Sequence, residues 1–329
     1  MTTKKRILSG MRPTGKLHLG HLVGALSNWV KLQDTYQCYY MVADWHAFMS
    51  EYEDPKGMRD NTIEMVKDFL AAGLDPERCT IFVQSHVPEH LELNAVYSDI
   101  TPLGWVERCP TYKEQLREIT GRDLTTYGFL GYPVLQAADI ALYKANAVPV
   151  GVDQLPHLEL TREIIRRFNT LYKKDLFPEP EPILTKTPKL LGLDNRKMSK
   201  SYGNFIALGD EPSDIEKKVG QMITDPARIR LKDKGHPDVC NVFSYYAVFA
   251  GPEALANVRD WCEGATTGCT ECKKNLAKVV ARYLEPMRSR RNSLTGSHVE
   301  DILKAGAKKA RAAAGETMDE VKKLINFFA

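Results

Sequence analysis

The sequence has little that would set it apart from an ordinary globular protein. No apolar run approaches the ~20 residues that a membrane helix needs. The lysines near the start are not followed by the apolar segment and small-residue site of a signal peptide. Net charge is nearly absent, since 45 basic residues oppose 42 acidic ones and leave +3. We expect a globular protein of the cytoplasm, and whole-chain charge indicates no partner.

The patterning along the chain predicts two domains within its 329 residues. Strand-like and helix-like segments alternate in the first half, with strands over 5–9, 38–43 and 80–84 and helices over 19–33, 56–72 and from residue 90. This alternation is typical of an α/β fold with a Rossmann-like parallel sheet. After residue 207 the pattern becomes helical and charged. We therefore predict a Rossmann-like domain over 1–207 and a helical domain over 208–329.

A glycine-rich segment follows the first predicted strand. Residues 10–17 read GMRPTGKL, which nearly matches the P-loop pattern GxxxxGK[ST]. Its last position is Leu17, which has no hydroxyl for Mg²⁺, so this mechanism of phosphate binding is incomplete. The next four residues are more informative. His18, Gly20 and His21 form an HxGH motif at the predicted start of a helix, where backbone amides and imidazoles can face an anion.

A second candidate phosphate site lies about 175 residues later. Residues 197–201 read KMSKS, so lysines and hydroxyls occupy four of five positions in one loop. Such a loop suits a phosphoryl transition state that carries more charge than the ground state. Either motif alone could be an exposed polar segment. Their combination, in this order, resembles the class I aminoacyl-tRNA synthetases.

Two further stretches indicate which of the class I synthetases the chain resembles. Residues 132–143, YPVLQAADIALY, place Asp139 on an otherwise apolar helix start, and residues 148–160, VPVGVDQLPHLEL, run from a buried-type strand into a helix. Both resemble the tryptophanyl-tRNA synthetases, and the likeness extends over most of the chain. It implies ATP-dependent activation of tryptophan, with Mg²⁺, and transfer to tRNA(Trp) by a homodimer. Tyrosyl-tRNA synthetases, a small nucleotidylyltransferase and a non-enzymatic RNA-binding protein are the alternatives.

The resemblance also assigns residues. It implies that Asp139 accepts a hydrogen bond from the indole N–H. Tyr132 and Gln154 would bind the α-ammonium, with Gln136 nearby, and His46 and Gly10 would line the pocket. Catalysis would depend on His18, His21, Lys197 and Lys200, without a covalent nucleophile. For ATP it implies Arg12, Pro13, Thr14, Gly20, His21, Gly151, Val152, Asp153, Leu190, Lys197, Met198, Ser199, Lys200 and Ser201.

Four of the seven cysteines are grouped in the second half. Cys240, Cys262, Cys269 and Cys272 include a C-x-x-C pair, and four thiols at such spacing can surround one metal centre. From spacing alone zinc is the default occupant. The resemblance instead favours a structural [4Fe-4S] cluster, which a subset of bacterial tryptophanyl-tRNA synthetases carries. Four independent thiols are the remaining alternative.

Basic residues cluster on predicted helices of the same half. They stand at 273–274, 288–291 and 308–311. Such residues can follow the phosphate backbone of a tRNA near its anticodon, or can lie on solvated helix faces.

Overall fold

The protein is built on one five-stranded sheet in which all neighbouring strands are parallel. The structure, a computed structural model, describes residues 4–110, 112–113, 116, 123–184, 190–200 and 202–328. Within them the strand order is β3-β2-β1-β4-β5. The strands are β1 Arg6–Met11, β2 Gln37–Val42, β3 Cys79–Val83, β4 Ala147–Val150 and β5 Glu181–Leu184.

The sheet confirms the predicted Rossmann-like α/β fold. β3 is buried throughout and β2 is buried from its second residue onward, as expected for parallel strands covered on both faces. The fifth strand was not predicted, because a proline-rich sequence rarely forms a strand. Pro182 is tolerated because β5 is an edge strand that pairs on one side with β4.

Helices cover both faces of the sheet and continue beyond it. The first is irregular, since an α-helical turn leads into a π-helical segment, Leu22–Leu26, before regular helix resumes. Among the described residues no helix is long and apolar enough to cross a membrane. The α-helices are α1 Leu19–His21, α2 Ser27–Thr35, α3 Asp44–Glu51, α4 Met58–Ala72, α5 Glu89–Ile100, α6 Leu103–Glu107, α7 Tyr127–Leu130, α8 Tyr132–Leu142, α9 Leu155–Leu171, α10 Pro212–Gly220, α11 Asn241–Phe249, α12 Pro252–Glu263, α13 Cys269–Asn292 and α14 Gly296–Leu324.

The helical second half packs directly on the first. One hydrophobic core includes Ile7 and Val66 from the sheet region together with Val280 and Leu284 from α13. A buried ion pair crosses the same boundary, because Arg291 Nε donates to Asp68 Oδ1 over 2.7 Å. Asp68 also accepts a backbone hydrogen bond from Leu17, and burial raises its pKa to about 6. The pair therefore connects α13 to the segment that precedes the HxGH motif.

A glycine of α14 lies directly against the backbone of β3. A Cβ atom on Gly306 would lie 1.8 Å from the carbonyl oxygen of Ile81 in β3, far inside contact distance. The obstacle is the backbone of a fully buried strand, so it cannot swing aside. Gly306 is thus required by packing, although glycine is unfavourable inside a helix.

We expect Gly306→Ala to lower the thermal midpoint and to destabilise the protein by about 2–3 kcal/mol, because α14 must move away from β3. Gly315→Ala is the matched control, since no atom lies within 4 Å of the added Cβ on the same helix. It should be neutral or stabilising by up to about 1 kcal/mol. Thermal and urea unfolding of both variants measure this, and equal effects would contradict the proposed contact.

Candidate active site

A large cavity opens where β1 and β4 end, at the point where the strand order reverses. This is where open parallel sheets bind ligands. The cavity has a volume of about 1010 Å³, enough for a nucleotide and an amino acid together. Residues 10–12 at the end of β1 and residues 150–151 at the end of β4 line it.

The HxGH motif lies at one side of the cavity, at the start of α1 as predicted. The ring centroids of His18 and His21 are 3.8 Å apart. Burial and, secondarily, the charge of Lys200 lower the pKa of His18 to about 4. Burial, His18 and Lys200 lower the pKa of His21 to about 2. Both imidazoles are therefore neutral at physiological pH.

Neutral imidazoles can still donate to an anion if the proton is on the right nitrogen. His21 Nδ1 accepts the backbone N–H of His18 over 3.2 Å, which leaves the proton of the neutral ring on Nε2. His18 Nδ1 is buried and has no hydrogen-bond partner among the described residues. These two rings can therefore supply hydrogen bonds to a phosphate, while the positive charge must come from elsewhere.

The KMSKS loop is held against the HxGH motif by backbone hydrogen bonds. Leu19 N donates to Ile206 O over 3.1 Å, and Leu208 N donates to Leu17 O over 3.0 Å, so the two segments form a short antiparallel pair. Because this pairing directly follows the loop, residues that are far apart in sequence meet at one cavity.

Asn204 fixes the conformation of the loop itself. Its side-chain oxygen accepts the backbone N–H of Ser199 over 2.9 Å, and its amide nitrogen donates to Lys197 O over 3.2 Å. At the tip, Lys200 Nζ donates to Gly15 O over 2.9 Å. Gly15 has φ +116°, a conformation that favours glycine. The lysine thus closes over the glycine-rich segment that follows β1.

Most of the predicted site residues line the cavity. Pro13, Thr14, Val152, Ser199 and Lys200 are not part of its lining, and Val152 is 70% exposed. Ser201 lies outside the described residues. The predicted residues that do line it are Gly10, Arg12, His18, Gly20, His21, His46, Tyr132, Gln136, Asp139, Gly151, Asp153, Gln154, Leu190, Lys197 and Met198.

Asp139 is a buried carboxylate with several donors. It occupies the second half of α8, not the helix start that the sequence predicted. His46 Nε2 lies 2.7 Å from Oδ2, while Gln84 Nε2 at 2.8 Å and His90 Nδ1 at 2.6 Å face Oδ1. Burial acts to raise the pKa of Asp139, but the hydrogen bonds and electrostatic influence of His46 and His90 outweigh it and hold this pKa below its ordinary value. The carboxylate is therefore an ionised acceptor.

A second polar chain, Tyr132, His157 and Gln154, also lines the cavity. His157 Nδ1 donates to Gln154 Oε1 over 3.0 Å, and Tyr132 OH donates to His157 Nε2 over 2.8 Å. Burial, with a smaller effect of His46, lowers the pKa of His157 to about 4, in keeping with this neutral form. The oxygen lone pairs of Tyr132 and Gln154 can then accept from a cationic ligand group.

Sequence reasoning missed the residues behind this site. His157 lies in the segment 148–160, but no role was predicted for it, and none was predicted for Gln84, His90 or Tyr143. All four are buried, and the partners of Gln84, His90 and Tyr143 are about 50 residues away in sequence. A histidine in an apolar segment gives no sequence signal that its neighbour in space is a carboxylate.

Comparison with known proteins agrees with this geometry. The family model described as class I tRNA synthetases of tryptophan and tyrosine matches residues 1–285. The chain belongs to this family of aminoacyl-tRNA synthetases. It is 52% identical to the tryptophan–tRNA ligase of Thermotoga maritima, over 98% of this chain and 99% of that one, and 42% identical to that of Aquifex aeolicus over the same shares. The structure of Campylobacter jejuni tryptophanyl-tRNA synthetase complexed with ADP and tryptophan superposes with a TM-score of 0.90 at 32% identity, covering 98% of this chain and 100% of that one.

The four grouped cysteines of the synthetase line a second, small cavity together with Arg228. Cys269 and Cys272 begin α13, Cys262 lies near the end of α12, and Cys240 immediately precedes α11. Burial raises the pKa of the Cys272 thiol to about 11, and the neighbouring thiols add to the effect.

The sequence-based prediction of a metal centre gains no further support from the structure. In the part of the chain that is described, no group of three or more His, Cys, Asp or Glu side chains is arranged to hold one metal ion. The four thiols share a cavity without closing around a single ion, so the prediction of zinc at this position finds no geometric basis.

Several basic residues of the helical half are engaged within the synthetase itself. Arg288 is 7% exposed and pairs with Glu285, while Arg290 Nε donates to Ala71 O over 2.8 Å and Arg291 pairs with Asp68. These arginines dock α13 onto α4 and α10. The sequence suggested that these arginines could contact a phosphate backbone, but in the structure they contact the protein itself.

Lys200 offers a pH-dependent test of the phosphate site. Burial, then the charge of Arg12, lower the pKa of Lys200 to about 8. Its ammonium is charged at pH 7 and loses its proton as pH rises through 8, so ATP binding should weaken about tenfold between pH 7 and 9. Isothermal titration calorimetry across this range measures the affinity. Lys200→Arg, which stays charged, should flatten the profile, and an equally steep profile in that variant would contradict the assignment.

Proposed function

We propose that this synthetase activates L-tryptophan with ATP and transfers it to tRNA(Trp). The main support is one cavity whose lining includes the HxGH residues, Lys197 and Met198 of the KMSKS loop, and the ionised, buried Asp139. The relatives named above, which the chain matches over nearly its full length, are tryptophan–tRNA ligases. Family, geometry and electrostatics therefore support the same reaction.

In the first step the tryptophan carboxylate attacks the α-phosphorus of ATP, and pyrophosphate leaves. Because the carboxylate of the substrate is itself the nucleophile, catalysis would come from positioning and electrostatic stabilisation. Lys197 and Lys200 would provide positive charge, while neutral His18 and His21 would donate hydrogen bonds. In the second step a ribose hydroxyl of the tRNA attacks the acyl carbon, and AMP leaves.

The ATP site would extend along the lining that the two motifs share. Arg12, Gly20, Gly151, Asp153 and Met198 line the cavity, which supports their assigned contacts with the nucleotide. Leu190 lines it as well, in agreement with a backbone contact. Pro13, Thr14, Val152, Ser199 and Ser201 remain predictions for ATP. Mg²⁺ would accompany the ATP phosphates, and we assign it no protein ligand.

Tryptophan recognition would use the two polar chains of the cavity. Asp139 Oδ2 would accept the indole N–H, beside His46, and the oxygens of Tyr132 and Gln154 would accept the α-ammonium, with Gln136 close by. Gly10 would pack against the ligand. A side chain is disfavoured at this position, because a Cβ there would lie 3.0 Å from Met41 O. A buried acceptor of this kind rejects ligands that lack the donor.

The first experiment is ATP–pyrophosphate exchange with each of the twenty amino acids. We expect exchange with tryptophan alone. Exchange with tyrosine would identify a tyrosine–tRNA ligase, the alternative within the family, and no exchange with any amino acid would contradict the proposal. Aminoacylation of tRNA(Trp) then distinguishes the synthetase from a nucleotidylyltransferase that shares the HxGH chemistry.

The remaining functional assignments belong to the same proposal. Residues 1–207 would carry catalysis and 208–329 would approach the tRNA anticodon, with the enzyme acting as a homodimer in the cytoplasm. The basic residues that face outward on α13 and α14 are the candidates for tRNA contact, because the arginines at 288, 290 and 291 are held by the protein.

We also propose, as the finer assignment of the second cavity, that its four cysteines hold a structural [4Fe-4S] cluster, with Zn²⁺ as the alternative. The four cysteines line one cavity, and four cysteine thiolates are the ligand set that such a cluster uses. The N-terminus of α13 would stabilise the thiolates of Cys269 and Cys272.

Anaerobic purification followed by visible absorption and metal analysis tests this assignment. We expect about four iron atoms per chain and their loss in Cys269→Ser, because one of four ligands is removed. Cys38→Ser, at a buried thiol in β2, is the matched control and should retain the iron. Zinc in place of iron would establish the alternative, and metal-free protein under anaerobic conditions would contradict both.

A further inference from the structure

The carboxylate of Asp139 has one side towards the cavity and one side towards the protein interior. His46, which bonds Oδ2, is part of the cavity lining. Gln84 and His90, which bond Oδ1, are both 0% exposed and lie behind the carboxylate, outside that lining. Oδ1 is therefore held from within, and Oδ2 keeps a lone pair for a ligand.

His90 is itself held on its far side. Its Nε2 lies 2.9 Å from the hydroxyl of Tyr143, while its Nδ1 lies 2.6 Å from Asp139. An ionised carboxylate accepts hydrogen bonds only, so Nδ1 carries a proton and donates. If Tyr143 donates to Nε2, its buried hydroxyl proton is satisfied, and it has no other hydrogen-bond acceptor among the described residues. The order Tyr143 to His90 to Asp139 thus fixes the direction of both hydrogen bonds.

We propose that His90, oriented by Tyr143, is a positioning residue that determines selectivity for an amino acid bearing an indole N–H. It does so by fixing the Asp139 carboxylate, ionised and with Oδ2 turned to the ligand. This inference rests on the proposed activation of tryptophan. His90 does not touch the ligand, so its effect should appear in substrate selectivity and should not appear in ATP binding.

Removing the donor has a specific consequence for a buried carboxylate. Burial alone would raise the pKa of Asp139, and a charge-assisted hydrogen bond opposes that. Without His90 the carboxyl group would become protonated as pH falls, and a protonated carboxyl can donate as well as accept. Its preference for an N–H ligand would then be lost. Among the described residues, the other titratable groups near this network are His46 on α3, Glu89 on α5, Tyr39 on β2, Tyr143 beside α8 and, next to His46, His157 on α9.

The test compares ATP–pyrophosphate exchange with L-tryptophan and with 3-benzothienyl-L-alanine, in which sulfur replaces the indole N–H. In the full-length enzyme, His90→Leu should lower kcat/KM for tryptophan by about 10- to 100-fold, as expected when a hydrogen bond to a charged group is lost. The value for the sulfur analogue should change by less than about threefold. The KM for ATP should stay constant.

Two substitutions with similar amide groups form a matched pair. His90→Asn places an amide donor near the former Nδ1 and should recover most of the selectivity. His90→Gln places it near the former Nε2, towards Tyr143, and should behave like His90→Leu. His86→Leu, at an exposed histidine on the same segment, is the control and should match the unmodified enzyme. Should His90→Leu fail to fold, the asparagine and glutamine variants carry the comparison.

The pH profile provides the readout that a purely structural role would not change. In the unmodified enzyme, the ratio of kcat/KM values for tryptophan and the analogue should be constant from pH 8 to 6. In His90→Gln it should decline as pH falls, because the raised pKa of Asp139 enters this range. Equal losses for both amino acids with a flat ratio would overturn the role of His90. Failure of the unmodified enzyme to activate tryptophan would instead overturn the proposed function itself.

Discussion

The site depends on a short backbone pairing between two segments that are far apart in the chain. Residues 17–19, at the start of the HxGH motif, hydrogen-bond to residues 206–208, directly after the KMSKS loop. Behind them, Asp68 bonds both Leu17 and Arg291 of α13. The phosphate motifs are thus positioned by the backbone of the core, and the helical half contributes to their position through the ion pair of Arg291 with Asp68. A displacement of α13 would be felt at Leu17, one residue from His18.

Burial divides the work of phosphate binding between two kinds of side chain. The motif histidines are desolvated and lie near Lys200, so protonating them would place like charges together in a dry site. They are therefore hydrogen-bond donors and carry no charge. Lys200 keeps its charge at neutral pH because it is partly exposed and its amine has a far higher ordinary pKa. The charged Lys200 thus lies on a loop, and the neutral donors His18 and His21 lie at the start of α1. This arrangement suits a reaction whose charge develops on the leaving group.

The sequence predicted the sheet and the position of both phosphate motifs because each of these has a local signature, while the resemblance supplied half of the residues that line the cavity. Val148–Gly151 reads as a strand end, and HxGH reads as a helix start, without reference to any distant residue. β5 was missed since Pro180 and Pro182 suggest a loop, and pairing with β4 outweighs that preference. The arginines at 288–291 looked like a solvated or nucleic-acid-binding cluster. The partners of Arg290 and Arg291, Ala71 and Asp68, are about 220 residues away in sequence, and no local pattern encodes such a contact.

The polar network around Asp139 shows why the residues behind a site matter as much as those that line it. An isolated carboxylate at this depth would tend to take up a proton, and a neutral carboxyl would accept or donate with little preference. Hydrogen bonds from His46, Gln84 and His90 keep the carboxylate of Asp139 ionised and leave its Oδ2 facing the cavity. A second group in the cavity lining is held in the same way, since His157 directs the hydroxyl of Tyr132 and the amide of Gln154. In both places a buried histidine, bonded through both ring nitrogens, converts an ambiguous polar group into one with a defined direction. Recognition at this site is therefore decided by hydrogen-bond direction within the protein before any ligand arrives.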